Sequence, residues 1–375
     1  MSEHLNGKDY SDYFKLLEDR LTDRIKPKKE DDKPAAREKP SKRKKRGIYK
    51  VIALRKAVLP LILIVAVITV LAVALPKIGK LTAETQDESG EPQAGATAEI
   101  TDEVKPLITY QIDGDTSEIP ASNDCGGAII INTDTGKAVA ARNPHTRFYP
   151  ASTTKIMTLL VACDNIKNYD DTFTMTLEIT DPLYVAEASV AGFLNGEVIT
   201  MTDLLYGLIL PSGADAAIAL AEKISGGEAE FVKLMNKKAD ELGLNDTHFV
   251  NASGLFDGDH YTTAYDMAVI LETALQNPVC KKVLSTYRYT TSSTPQHPDG
   301  IELSATLFDY MYGTEPETAT VLGGKTGFVN ESGYCIASYG RSNETGNEYI
   351  VVTLKNSSRW PAIHGQIDLY KQFAK

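Results

Sequence analysis

Apolar and polar positions change their rhythm several times along the 375 residues. Tyr10, Tyr13, Phe14, Leu17 and Leu21 recur at helical spacing, with Lys15, Glu18, Asp19 and Arg20 on other faces. They predict a short amphipathic segment within residues 1–25. Two readings of it stay open: a frayed helix of marginal stability and a docking site at residues 10–21 for a cytoplasmic protein partner. Ala57–Pro76 then runs without a charge. About twenty apolar residues are what a helix needs to span a bilayer, and Pro60 falls in its first turn, where proline is tolerated.

Period-two and helical patterns begin only after residue 122. Gly126–Asn132 and Lys137–Ala141 flank Thr133-Asp134-Thr135-Gly136, a hairpin signal. Helical patterns follow Ser152 and recur at Asp203–Leu210, Asp215–Ile224, Glu228–Leu242 and Thr263–Leu275. Strand candidates come late, at Thr318–Lys325, Gly333–Gly340 and Glu348–Asn356, before a helix over Ala362–Phe373. An early hairpin, a helical middle and a late meander predict a mixed α+β fold: one antiparallel sheet with packed helices and a mostly helical lobe.

Charge sharpens the domain plan. The net charge is −11, but the first 56 residues carry 18 Lys/Arg against 10 Asp/Glu. Ser41-Lys-Arg-Lys-Lys-Arg46, Lys50, Arg55 and Lys56 flank the apolar run on its N-terminal side. The positive-inside rule places that side in the cytoplasm and everything after residue 76 outside the membrane. The expected plan is a cytoplasmic segment (1–25), a basic juxtamembrane tail (26–56), a transmembrane helix (57–76), an extended extracytoplasmic linker (77–122) and a folded domain (123–375). Fully stretched, that linker reaches roughly 160 Å. Ala72-Val73-Ala74 fits a cleavage site, but the long preceding tail favours a retained anchor. Lipid attraction accounts for the basic run, and no groove-reading motif accompanies it, so nucleic-acid binding is not expected.

Cys125, Cys163, Cys280 and Cys335 form no C-x-x-C, and the histidines show no H-x-x-x-H or H-x-x-E spacing. No metal or other cofactor is expected. Buried free thiols are the reading for Cys163 and Cys335.

The chemistry rests on three short motifs in order. Ser152-Thr153-Thr154-Lys155 comes first, Pro211-Ser212-Gly213 next, and Lys325-Thr326-Gly327 last. A helix starting at Ser152 brings Lys155 onto the same face as the hydroxyl. A lysine amine acts as base only when neutral, a form favoured by burial and by a second cation, here Lys325. S-x-x-K alone is weak: Ser41 to Lys44 repeats it inside the basic tail. The strength lies in the ordered set.

With those motifs, the chain resembles the serine D-alanyl-D-alanine carboxypeptidases, the low-molecular-mass penicillin-binding proteins. The similarity runs from about Gly126 to Lys375. It includes Asn132-Thr-Asp-Thr-Gly136, Pro150-Ala-Ser-Thr-Thr-Lys-Ile-Met-Thr158, Leu204-Leu-Tyr-Gly207, Leu210-Pro-Ser-Gly213, Asn251-Ala-Ser-Gly-Leu255, His260-Tyr-Thr-Thr-Ala264 and Gly324-Lys-Thr-Gly-Phe328. The resemblance implies a β-lactamase/transpeptidase-like fold with a five-stranded antiparallel sheet. It implies Ser152 as nucleophile, Lys155 as base and Ser212 as proton shuttle. It implies Lys325 and Thr326 on the substrate carboxylate, with Arg359 as a further partner. The backbone N–H groups of Ser152 and Phe328 would form an oxyanion hole. Peptidoglycan stem peptides would be substrates, and β-lactams would trap the serine.

One position departs from the pattern. The family usually has Asn where this chain has Ala214, and Asp215 one position on points about 100° away. That leaves room for a non-enzymatic sensor of peptidoglycan or β-lactam. D,D-endopeptidase action needs the same residues. A class A β-lactamase would carry E-x-x-x-N between the first two motifs. Val161, Asp164 and Ala191 stand four residues before Asn165, Asn168 and Asn195, so that element is missing.

Overall fold

The computed structural model describes residues 107–375. The expected cytoplasmic segment, basic tail and transmembrane helix lie outside the described residues. No helix among the described residues is long and apolar enough to cross a membrane.

The chain enters through β1 (Ser117–Glu118), β2 (Gly127–Asn132) and β3 (Lys137–Arg142). A 3-10 turn over Ala151–Thr154 leads into α1 (Lys155–Asn165). The helical lobe follows: β4 (Thr172–Thr174), α2 (Leu177–Val185), β5 (Val198–Thr200), α3 (Met201–Ile209), α4 (Ala214–Ser225), α5 (Glu228–Glu241), α6 (Ala264–Gln276) and α7 (Pro278–Leu284). Then come β6 (Arg288–Thr290), β7 (Glu302–Ser304) and α8 (Thr306–Met311). The meander β8 (Ala319–Val329), β9 (Gly333–Ser342) and β10 (Glu348–Asn356) precedes α9 (Arg359–Phe373).

The main sheet has six strands in the order β1-β3-β2-β10-β9-β8. The expected count of five is therefore short by one. The additional strand is β1, which pairs parallel with β3 through Ser117↔Ala140 and Glu118↔Ala141, while the other pairings are antiparallel. The folded part also begins earlier than residue 123. Ile119 is 1% exposed and its N–H bonds to the Ala141 carbonyl, so the end of the expected linker belongs to the fold.

Alternation within β2 and β10 explains the layers. Ile129 and Ile131 of β2, with Ile350 and Val352 of β10, enter the large core beneath the helical lobe. Ala128, Ile130, Tyr349 and Val351 point the other way, onto Leu369 and Tyr370 of α9. Both strands are interior and covered on both faces, so they read as continuous apolar runs. Helix α6 packs on α1 and on both strands. Its start is fixed by Thr263, whose side chain accepts the Asp266 N–H at 3.0 Å.

Candidate active site

The nucleophile candidate stands at a forced turn. Ala151 has φ of 48°, sparse territory for a residue with a side chain. Thr153 then bonds back to Pro150 through both N–H and hydroxyl. The expected α-helix does not start at Ser152; the 3-10 turn precedes it. Three residues per turn stack positions i and i+3, and Lys155 Nζ lies 3.0 Å from Ser152 Oγ.

A loop from the helical lobe completes the lysine's surroundings. The Ser253 carbonyl accepts from Lys155 Nζ at 2.5 Å. Asn251 Oδ1 accepts the N–H groups of Ser253 and Gly254 and shapes that loop. Gly254, at φ of +80°, lies so near the Ser152 turn that a Cβ on it would stand 2.0 Å from the Ala151 oxygen. Only glycine fits there.

Strand β8 brings the third motif to the same place. A Cβ on Gly327 would stand 2.8 Å from the Ser152 nitrogen and 3.0 Å from that of Thr153. Lys325 is 1% exposed and donates to the Thr326 carbonyl at 2.8 Å. Phe328 is about half exposed and stacks on Tyr334.

Electrostatics at the two buried amines favour a base. Burial pushes the Lys155 pKa down to about 7, partly opposed by the Asp215 carboxylate. Burial, then the charge of Lys155, holds Lys325 well below its ordinary value. The pair therefore resists carrying two protons at once. A carbonyl only accepts, so one Lys155 hydrogen is committed to Ser253. The lone pair of the neutral amine is left for the Ser152 hydroxyl.

Ser212 is buried in a tight turn between α3 and α4, with φ of 68°. The turn is set by Gly213 N–H to Gly207 O at 2.9 Å and Ala214 N–H to Ser189 O at 2.8 Å. Among the described residues, no hydrogen bond joins Ser212 Oγ to Ser152 or Lys155. Asp215 turns from the site toward residues 191–192, accepting the Ala191 and Gly192 N–H groups at 2.8 and 3.1 Å. Burial raises its pKa against those bonds. Arg359 is exposed at the start of α9, with its guanidinium 4.5 Å above the Tyr310 ring. No described contact joins it to the lysines.

Known proteins carry the same frame. A family profile described as D-alanyl-D-alanine carboxypeptidase matches residues 115–358. The chain belongs to the D-alanyl-D-alanine carboxypeptidase family. It is therefore a serine hydrolase by descent, with the mixed α/β, transpeptidase-like fold. It is 33% identical over 265 residues to D-alanyl-D-alanine carboxypeptidase DacF of Bacillus subtilis, covering 69% of this chain and 64% of that relative. The crystal structure of the Streptomyces K15 DD-transpeptidase superposes with a TM-score of 0.60 at 29% identity, covering 66% of this chain and 97% of that one. A D-alanyl-D-alanine endopeptidase of Pseudomonas aeruginosa is 30% identical over 211 residues, covering 56% of this chain and 65% of that relative.

The first and last motifs thus come together, with Lys155 against Ser152 and the Lys325–Phe328 stretch of β8 packed on the same turn, while Ser212 and Arg359 make no described contact with Ser152 or Lys155. Ser253, Gly254 and His260 carry no sequence motif that gives them a role. The runs Asn251–Leu255 and His260–Ala264 were the available signal, without roles. All four cysteines are buried free thiols.

Proposed function

We propose that this site is a serine D,D-carboxypeptidase that removes the terminal D-alanine of peptidoglycan stem pentapeptides. The observation that carries the reading is the 3.0 Å contact between Lys155 Nζ and Ser152 Oγ at a lysine that is 2% exposed. Neutral Lys155 takes the Ser152 proton as the hydroxyl oxygen attacks the penultimate carbonyl. The N–H groups of Ser152 and Phe328 hold the oxyanion, each such donor contributing about 3–4 kcal/mol. Ser212 passes a proton to the departing D-alanine amine. Lys325 and Thr326 hold the terminal carboxylate. That anion keeps the shared proton on Lys325 and so leaves Lys155 neutral. Water then attacks the acyl ester. The same ester traps β-lactams. Arg359 is assigned no part, since its guanidinium is engaged over Tyr310.

The test uses full-length protein in detergent. Wild type releases D-alanine from a pentapeptide and is labelled by a fluorescent penicillin. Ser152→Ala loses both and keeps its melting temperature. Undiminished labelling of the variant would move the nucleophile elsewhere. The endopeptidase relative supports a second reading, settled by offering a cross-linked dimer beside the pentapeptide. Labelling without turnover of either would favour the sensor reading that Ala214 suggests.

The uncharged run Ala57–Pro76 and its basic flank support a single-pass anchor with the domain outside the membrane. Protease added to wall-stripped cells should then digest the domain and spare an epitope near Asn6. The reverse pattern would invert the topology. The amphipathic residues 10–21 are the part offered to a cytoplasmic partner.

A further inference from the structure

The proposed chemistry leaves His260 unused, yet its ring lies directly behind the nucleophile turn. It is 2% exposed. Nε2 is 2.8 Å from Thr154 Oγ1, and Nδ1 is 3.2 Å from the Val250 nitrogen. A backbone N–H only donates, so Nδ1 is the acceptor there. The proton of the neutral ring is then on Nε2, directed at the Thr154 hydroxyl. An edge contact with Phe249 and a turn bond from His260 N–H to Asp257 O hold the ring in place.

The two bonds reach two different parts of the site. Thr154 is the residue before Lys155 and stands at the N-cap of α1, where its side chain makes no capping bond. Val250 leads into the loop whose Ser253 carbonyl holds Lys155 Nζ. A single rigid ring therefore sets the spacing between the helix that carries the amine and the loop that anchors it.

We propose that His260 is a positioning residue, whose neutral Nε2–H form ties Thr154 to the Val250 loop and thereby aims Lys155 at Ser152. This rests on Lys155 acting as the base. A protonated ring would turn an N–H against the Val250 N–H. Burial opposes that state and holds the ring pKa down to about 4; Asp257 acts against this, while His248 and Lys155 add to it. The ring is thus neutral wherever the lysine can work.

The test separates aim from folding. His260→Phe keeps a ring against Phe249 and loses both bonds. Thr154→Val loses the acceptor, and Thr154→Ser keeps it. In full-length protein, the acylation rate by a fluorescent penicillin is measured per labelled site, with the final labelled fraction and melting temperature recorded separately. We expect at least about a tenfold fall in rate for His260→Phe and Thr154→Val at an unchanged labelled fraction. Thr154→Ser should keep most of the rate, and the His260→Phe/Thr154→Val double variant should be no slower than the worse single one. Nitrogen-15 spectra of the ring should show the Nε2–H tautomer from about pH 6 to 8. A wild-type rate in folded His260→Phe, additive losses, or an Nδ1–H ring would overturn the proposal. If His260→Phe does not fold, the Thr154→Val and Thr154→Ser pair decides. Failure of the Lys155 reading looks different, because the wild-type acylation rate would then keep climbing past pH 9.

Discussion

Gly327 of β8 and Ser152 meet backbone to backbone: a methyl group on the glycine would stand 2.8 Å from the serine nitrogen. The contact joins the edge of the sheet to the nucleophile turn with no side chain between them. Gly327→Ala must push the two apart. A shift near 1 Å at a reacting centre costs about a hundredfold in rate. The acylation rate by penicillin should fall by about that factor, and Tm should fall as well, because Gly327 is buried and paired with Cys335 within β8. An unchanged rate would mean that the turn tolerates the shift and that the close approach has no catalytic value.

The pH dependence follows from Lys155. Acylation needs its neutral amine, and burial brings its pKa down to about 7. The acylation rate should therefore rise about tenfold per pH unit below 7 and level off above it. A lysine at its ordinary pKa would give a rate that climbs steadily past pH 9. That outcome would remove Lys155 as the base.

Asp215 raises the Lys155 pKa. Asp215→Asn removes that charge, so the acid limb of the same profile should move to lower pH. The new amide must also face N–H groups that the carboxylate accepted from Ala191 and Gly192. A donor left against a donor costs about 1–3 kcal/mol, read as a lower Tm. A limb that stays in place would show that the carboxylate acts only on the 191–192 loop.

Ala214→Asn tests the one departure from the family pattern. The restored amide should raise the acylation or peptidase rate by about tenfold or more, as a hydrogen bond to a charged partner contributes about 1.5–3 kcal/mol. Ala214 is 2% exposed and packs in the main core, so the larger side chain should also lower Tm. Overpacking of this kind costs about 1–3 kcal/mol. A lower Tm with no gain in rate would mark a site rebuilt around alanine.

The residues of the ordered motifs are legible in the sequence. Ser152, Lys155 and Lys325 declare themselves by type, order and spacing. The long helices and the β8–β10 meander declare themselves by period. Ser253 acts through its carbonyl, which every residue has, so nothing marked it. His260 is paired by a fold that brings Thr154 across 106 positions. Strand β1 is a two-residue parallel pairing whose buried anchor, Ile119, has no alternating apolar partner and is followed at once by Pro120. Helix α2 carries Pro182 inside it, which masks a helical reading.

The strand order has a consequence for biogenesis. β10 lies between β2 and β9 and, among the described residues, is the only strand that links the N-terminal hairpin to the β8–β9 hairpin within the sheet. Residues up to Asn356 must therefore leave the ribosome before the two halves can join. Until then Lys325 has no fixed place beside Ser152. A partly synthesised chain carries Ser152 without its neighbouring cation. The site is thus assembled only once β10 has been made and has paired with both neighbours.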